Sequence, residues 1–358
     1  MKKIDWYIIK KFLGTFFFTM ILIILIVIIF DVSEKIDDFI KNQAPLKEII
    51  FSYYLTFIPF FTNMFSSLFT FIAVVFFTSK LAANTEIIAI LSSGVSFRRL
   101  LRPYMIAATF LAVLSFYLAN FLIPQTNQIR YAFEDKYIFS KKTNTSRNIH
   151  VQNSPGTLLY VESFSNDENR GRNFTMEKVA DFSLDYKLKA RDITYDSLDN
   201  KWEAHHYMIQ RNDNNEVKFE YGDTLELDLN VLPSDFSSRI KRMDVMNYFE
   251  LDKFIESEKI KGSKNIKFYE VERHKRVSFP FATLILTIIG ASLSSRKTRG
   301  GLGLHLAFGI LISFTYIIFM QISTVFATFG TLSPFVAVWI PNFFFAILAF
   351  LLVRMAPK

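Results

Sequence analysis

Long apolar runs broken by short polar segments occupy both ends of the chain, and a polar, β-prone stretch fills its middle. Residues 12–30 carry no charge over nineteen positions, enough for a helix to cross a bilayer. An acidic segment follows, with Asp31, Glu34, Asp37 and Asp38. Residues 46–79 are too long for one straight span and contain Pro59. They predict an interfacial stretch (Ile49, Ile50, Phe51, Tyr53, Tyr54) leading into a second helix kinked near Pro59, with Asn63 requiring a partner on a neighbouring helix. A third span covers 104–123 and stops at Pro124, since proline removes a donor from a helix interior. Spans four to six are predicted at 277–293, 303–326 and 335–353.

Between the third and fourth spans the periodicity changes. Strand-like runs lie at 148–152, 158–163, 174–182, 186–195, 202–210, 217–221 and 224–229. Seven short strands at this spacing read as an antiparallel sandwich or open barrel, too large for a mere loop. Residues 244–260 return to helical spacing and close at Gly262. The expected architecture is a membrane α-helical fold of six transmembrane helices, three on each side of an inserted all-β domain. Its parts are spans one to three in 1–124, the β domain in 125–243, a helical connector in 244–273 and spans four to six in 274–358.

Composition agrees with a membrane protein: 51% of residues are hydrophobic, 41 are Phe, and mean hydropathy is +0.24. With no cysteine, disulfides and thiolate metal sites are excluded. A net charge of +8 could suggest nucleic acid, but the basic residues Lys10, Lys11, Lys80, Arg98, Arg99, Arg102, Arg296 and Arg354 flank apolar runs. Those ends have one parity, which is the positive-inside pattern and puts both termini in the cytoplasm. The first apolar run is longer than a signal-peptide core of about 7–15 residues and lacks a small-x-small cleavage site, so it reads as a retained span.

Residues 84–94 form a short segment between two apolar runs. Asn84 or Thr85 can cap a helix there, Glu86 suits its first turn, and Gly94 ends it. Its apolar residues Ile87, Ile88, Ile90 and Leu91 are too few to span, while Arg98, Arg99 and Arg102 hold the following turn at the headgroups. The expectation is a cytoplasmic helix on which another protein docks.

No catalytic constellation is visible. There is no glycine-rich phosphate loop and no HExxH, and His205 and His206, neighbours on a strand, point to opposite faces. The span centres contain no Asp, Glu, Lys or Arg, the residues that ion-coupled transporters keep at the midplane. The energy source is therefore expected on a separate ATPase. Phe16, Phe17, Phe18 and Phe30 in the first span, and Phe314, Phe319 and Phe326 in the fifth, suit either packing or a wide apolar cavity for acyl chains. Arg273, Lys275 and Arg276, with His274, stand at the outer end of span four. Headgroup snorkelling and binding of a phosphate-bearing lipid explain them equally well.

Several stretches, in this order and spacing, resemble the lipopolysaccharide-export permeases of the LptF/LptG type over nearly the whole chain. They are IDWYIIKKFL (4–13), TEIIAILSSGVS (85–96), IPQTNQ (123–128), ARDITYDSLDNKWEAHHYMI (190–209), HKRVSFP (274–280), Gly300-Gly301 and WIPN (339–342). The resemblance implies one permease of an ABC-type exporter in the bacterial inner membrane, paired with a paralogous permease as a heterodimer. A dimeric cytoplasmic ATPase would carry ATP and Mg, so this chain itself holds no cofactor. Glu86 would face that ATPase, with Ala89, Leu91, Gly94, Arg98 and Arg99 shaping the fit. Spans one and five (Phe17, Ile24, Phe30, Tyr316, Phe319, Phe326) would line the lipid cavity and its lateral gate. Lys35, Lys41, Arg273, Lys275 and Arg276 would be the candidates for lipid phosphates. The β domain would be a periplasmic jellyroll that passes lipopolysaccharide to a bridge protein of like jellyrolls. The opening IDWYIIKKFL is nearer the LptG-type paralogue, but Asp31, Glu34, Asp37 and Asp38 stand where such members place lysines. Read from the residues alone, an ion-coupled secondary transporter and a membrane-anchored sensor or assembly factor are the alternatives.

Overall fold

The computed structural model describes residues 3–138, 145–154, 156–165, 168–180, 183–196, 201–213, 216–236, 240–260, 262–263, 265–296 and 301–356. Residues 297–300 of the expected basic turn, with Gly300 of the glycine pair, and the last two residues of the run at 174–182 lie outside these. The chain divides into two compact units, Met1–Phe139 with Met243–Leu251 and Lys267–Lys358, and Ser140–Arg242 with Asp252–Ile266.

In the first unit, helix α1 runs from Lys3 to Lys41, about 58 Å at 1.5 Å per residue and far longer than a bilayer core is thick. It does not stop at the acidic segment. Asp31 and Lys35 are one helical turn apart and pair at 2.6 Å, which carries the helix onward. The chain then forms α2 (Leu46–Glu48), a π-helical turn (Ile49–Tyr54), α3 (Leu55–Met64) and α4 (Ser66–Ala83). Pro59 sits inside α3, and the discontinuity falls at Phe65, beside the Ser66-Ser67 pair and Asn63, whose side chain accepts the Ser115 hydroxyl at 2.6 Å.

After α5 (Glu86–Ser92), the third apolar run forms α6 (Phe97–Tyr117), a π-helical turn (Leu118–Leu122) and α7 (Ile123–Tyr137). Pro124 therefore does not end the helix, which runs on to Tyr137. The wider π turn restarts the hydrogen-bond ladder, so Pro124 occupies a first-turn position where its missing N–H has no helical acceptor to lose. Beyond the sheet come α8 (Tyr248–Ile260), α9 (Ile266–Ser294), α10 (Gly301–Phe329) and α11 (Pro334–Met355). Among the described residues, six helices are long and apolar enough to cross a membrane. The most apolar stretch of α4 is 72% buried and that of α1 only 17%, so α4 is the axis of the bundle and α1 its flank. One core joins α1, α4 and α6 through Phe12, Phe69, Val74 and Tyr104; another joins α4 to α9, α10 and α11 through Phe71, Leu286, Tyr316 and Phe345.

The second unit is a six-stranded antiparallel sheet, β1 (Thr145–Ser154), β2 (Thr157–Ser165), β3 (Arg170–Ala180), β4 (Ser183–Asp196), β5 (Lys201–Asp213) and β6 (Glu216–Leu227). The strands pair in chain order, a meander without crossovers. The runs at 217–221 and 224–229 are one strand. Gly222 between them leaves a gap in the side-chain row, filled by the ring of Tyr207 opposite, with which a Cβ there would collide. Alternate residues bury one face, including Val161, Phe174, Leu188, Trp202 and Ile209. The chain after β6 folds over that face. Phe236 stacks on Phe164 with centroids 5.2 Å apart, and the buried Trp202 indole N–H donates to the Val231 carbonyl at 2.8 Å.

Candidate functional site

Helix α5 lies between two spans and is anchored by a single side chain, Ile87, which is fully buried, with Ile90 and Leu91 packed against the same core. Ile88, Ala89, Ser92 and Gly94 are exposed, as is Arg98 at the start of α6. The expected side-chain cap is not formed. Thr85 takes a left-handed conformation (φ 61°), its hydroxyl donates to the Asn84 carbonyl at 2.6 Å, and the first turn of α5 is left open at Glu86. Glu86 is half-exposed; Tyr7 donates to it at 3.4 Å and the Asn84 amide at 3.3 Å. Gly94 closes the segment with φ +85°, its N–H donating to Leu91.

Arg99 turns inward instead of toward headgroups or a partner. It forms a two-pronged ion pair with Asp5 near the start of α1 (2.8 and 2.7 Å), and Asp5 is buried. An acid inside a basic lead-in is the only sign of this pair in the sequence. Through Asp5–Arg99 and Tyr7–Glu86, the beginning of α1 is held to the α5–α6 turn.

The cavity candidates are distributed unevenly. On α1, Phe30 is exposed, Phe17 half-buried and Ile24 buried; on α10, Phe326 is exposed, Phe319 half-buried against Phe344 with ring centroids 5.7 Å apart, and Tyr316 buried. Tyr316 therefore belongs to the interior, its hydroxyl donating to Asn342 at 2.8 Å. Leu22, Leu25, Ile26 and Ile29 give α1 an apolar face left exposed among the described residues, and Leu311, Phe314 and Ile318 do the same for α10.

The cations also divide. Lys35 is used within the chain, pairing with Asp31, bonding the Tyr53 hydroxyl and standing over the Tyr53 ring at 4.8 Å. Lys41 is exposed, and Arg273 and Lys275 are half-buried. Arg276 is buried and bound to its own backbone, donating to the carbonyls of Met243 and Met246 (both 2.7 Å) and to Glu272 (3.1 Å).

That last set reveals a junction not foreseen from the residues. Asn127 and Gln128 donate to the carbonyls of Asp244 and Val245 (3.0 and 3.1 Å), and Tyr131 donates to the Asp244 carboxylate at 3.1 Å. Residues 243–246 are thus held from α7 on one side and by Arg276 of α9 on the other. Burial, with the Glu272 carboxylate nearby, pushes the Asp244 carboxyl above its usual range. IPQTNQ and HKRVSFP supply the donors, and WIPN adds Asn342, which donates to the Ser278 carbonyl at 2.9 Å. The three motifs were the available signal, but which atoms they join was not in it.

No individual curated protein matches the chain. A family does: the model of the lipopolysaccharide export system permease LptF/LptG family matches residues 6–355, so this multi-pass chain belongs to that family of transport permeases.

Proposed function

We propose that this chain is the membrane permease of an ABC-type lipopolysaccharide exporter in the bacterial inner membrane. All six long apolar helices cross the bilayer, both termini are cytoplasmic, and the six-stranded sheet belongs to a periplasmic, jellyroll-like domain. The observation that carries the reading is α5: a short helix fixed by buried Ile87, with Ile88, Ala89 and Ser92 exposed beside an acid at its N-terminus. An apolar and small-residue face of this kind suits a groove on an ATPase, and Glu86 offers it one negative charge. ATP and Mg belong to that dimeric partner.

The uncovered apolar faces of α1 and α10 support pairing with a paralogous permease, the acyl chains lodging between α1 of one subunit and α10 of the other. Exposed Lys41 and half-buried Arg273 are the cations offered to lipopolysaccharide phosphates, whereas Lys35 and Arg276 are engaged within the chain. The sheet then hands the lipid to a bridge protein of like fold. Mild-detergent purification of the tagged chain, with mass spectrometry of everything retained, tests the reading. The expected result is a second permease, an ATP-binding protein and lipopolysaccharide; a chain recovered without an ATPase would overturn it.

A further inference from the structure

A cavity of about 440 Å³ lies within the helical unit, bordered by α3, α6, α7, α9 and α10 and by the junction at Asp244. Its apolar wall is aromatic and thioether (Phe60, Phe65, Phe279, Met320), and its polar end carries Asp244, Lys275 and the paired Glu272 and Arg276. Two groups there lack partners. Lys275, half-buried, has no hydrogen-bonding or ionic partner among the described residues. The Asn127 side chain is 1% exposed; its amide N–H is used on the Asp244 carbonyl, but its Oδ1 accepts from nothing. A buried acceptor and a half-buried cation left open on the wall of an apolar cavity both ask for a ligand.

We infer that this cavity binds one zwitterionic glycerophospholipid bearing a primary ammonium, such as phosphatidylethanolamine. Its phosphate would meet Lys275, its ammonium would donate to Asn127 Oδ1 and lie near Asp244 and Glu272, and one acyl chain would follow Phe60, Phe65 and Phe279. The charge pattern decides the class. Glu272 is answered by Arg276 and Asp244 accepts from Tyr131, so the open groups are Lys275 and Asn127 Oδ1: an anionic lipid without an ammonium meets Lys275 but brings no charged donor to Asn127 beside Asp244, and an uncharged amphiphile leaves Lys275 unanswered. The volume accommodates one chain, not several side by side, which separates the site from one built for lipopolysaccharide.

The test uses the full chain with its co-purifying subunits in nanodiscs of equal phosphatidylethanolamine and phosphatidylglycerol, read by native mass spectrometry. Wild type is expected to retain one phosphatidylethanolamine per chain in preference to phosphatidylglycerol. Lys275→Ala, which breaks no hydrogen bond or ion pair among the described residues, should lower that retention about tenfold, the loss of one charge-assisted bond. Ala119→Phe, which fills the cavity from α6–α7 without touching a charge, should abolish it. Equal retention of phosphatidylglycerol, retention unchanged in both variants, or occupancy by lipopolysaccharide alone would each overturn the inference. The readout is bound lipid rather than export, so its failure is distinct from failure of the transport reading.

Discussion

Arg99 grips both carboxylate oxygens of Asp5 across ninety-four residues of sequence, tying the first turn of α1 to the first turn of α6. If α1 borders the lipid path and α5 receives the ATPase, this pair, together with the Tyr7–Glu86 bond, links the two. Asp5→Asn keeps the shape but removes the charge, leaving the guanidinium with a weaker acceptor. The expected outcome is ATP hydrolysis that continues while lipopolysaccharide release per ATP falls at least about fivefold, the lower end of ordinary coupling energies. The swapped pair Asp5→Arg with Arg99→Asp should recover part of the loss. Hydrolysis and release assayed together in proteoliposomes check it; equal release per ATP in Asp5→Asn would remove the pair from the coupling route.

On the outer surface of α5, Ala89 is exposed and Glu86 half-exposed. Neither change should unfold the bundle, because the helix is seated through Ile87 on its other face. Ala89→Trp adds bulk where a groove must close, and Glu86→Lys inverts the charge and places a cation at a helix N-terminus. Each should lower the ATPase recovered with the permease by about tenfold or more, with the permease melting temperature unchanged. Quantified co-purification with a thermal-shift control is the measurement.

Elements were legible in this sequence where one physical cause dominates. Apolar length placed the long helices, and alternation placed β2 to β5 near their observed positions. Local rules failed where another part of the chain overrode them. Pro124 reads as a helix stop but follows a π turn that makes its missing donor harmless; the runs at 217–221 and 224–229 read as two strands, but Gly222 lies opposite the Tyr207 ring and one strand passes through. The site residues show the same limit. Charge alone presents Lys35, Arg99 and Arg276 as surface cations, yet Asp31, Asp5 and the carbonyls of residues 243 and 246 occupy them. A sequence gives the charge of a side chain, whereas its availability depends on partners that only folding brings near.

The sheet has its own keystone in Trp202, fully buried between Tyr195, Phe164 and Phe236. Trp202→Ala removes that packing and leaves the Val231 carbonyl without its indole donor. A destabilisation of about 3–5 kcal/mol is expected, confined to the sheet unit. Hydrogen exchange on the full chain should show faster exchange in β4 to β6, with α4 and α6 protected as before.

Asp244 gives the junction a pH dependence of predictable sign. Its carboxyl is raised above 3.8 chiefly by burial, then by the neighbouring Glu272 carboxylate, against which the Tyr131 hydroxyl and the Arg276 and Arg130 cations act only in part. Below the unfolded value the group is protonated in both states, and its contribution to stability is fully present. As pH rises through the folded value, the buried carboxyl must ionise at a cost the unfolded chain does not bear, and that stability is lost. Asp244→Asn mimics the protonated form and can still accept from Tyr131. It is expected to melt higher than wild type at pH 7 and to converge with it near pH 4, so that the difference between the two curves, rather than either alone, reports this group. A difference constant from pH 4 to 7 in thermal melts would show that the carboxyl does not titrate differently in the fold.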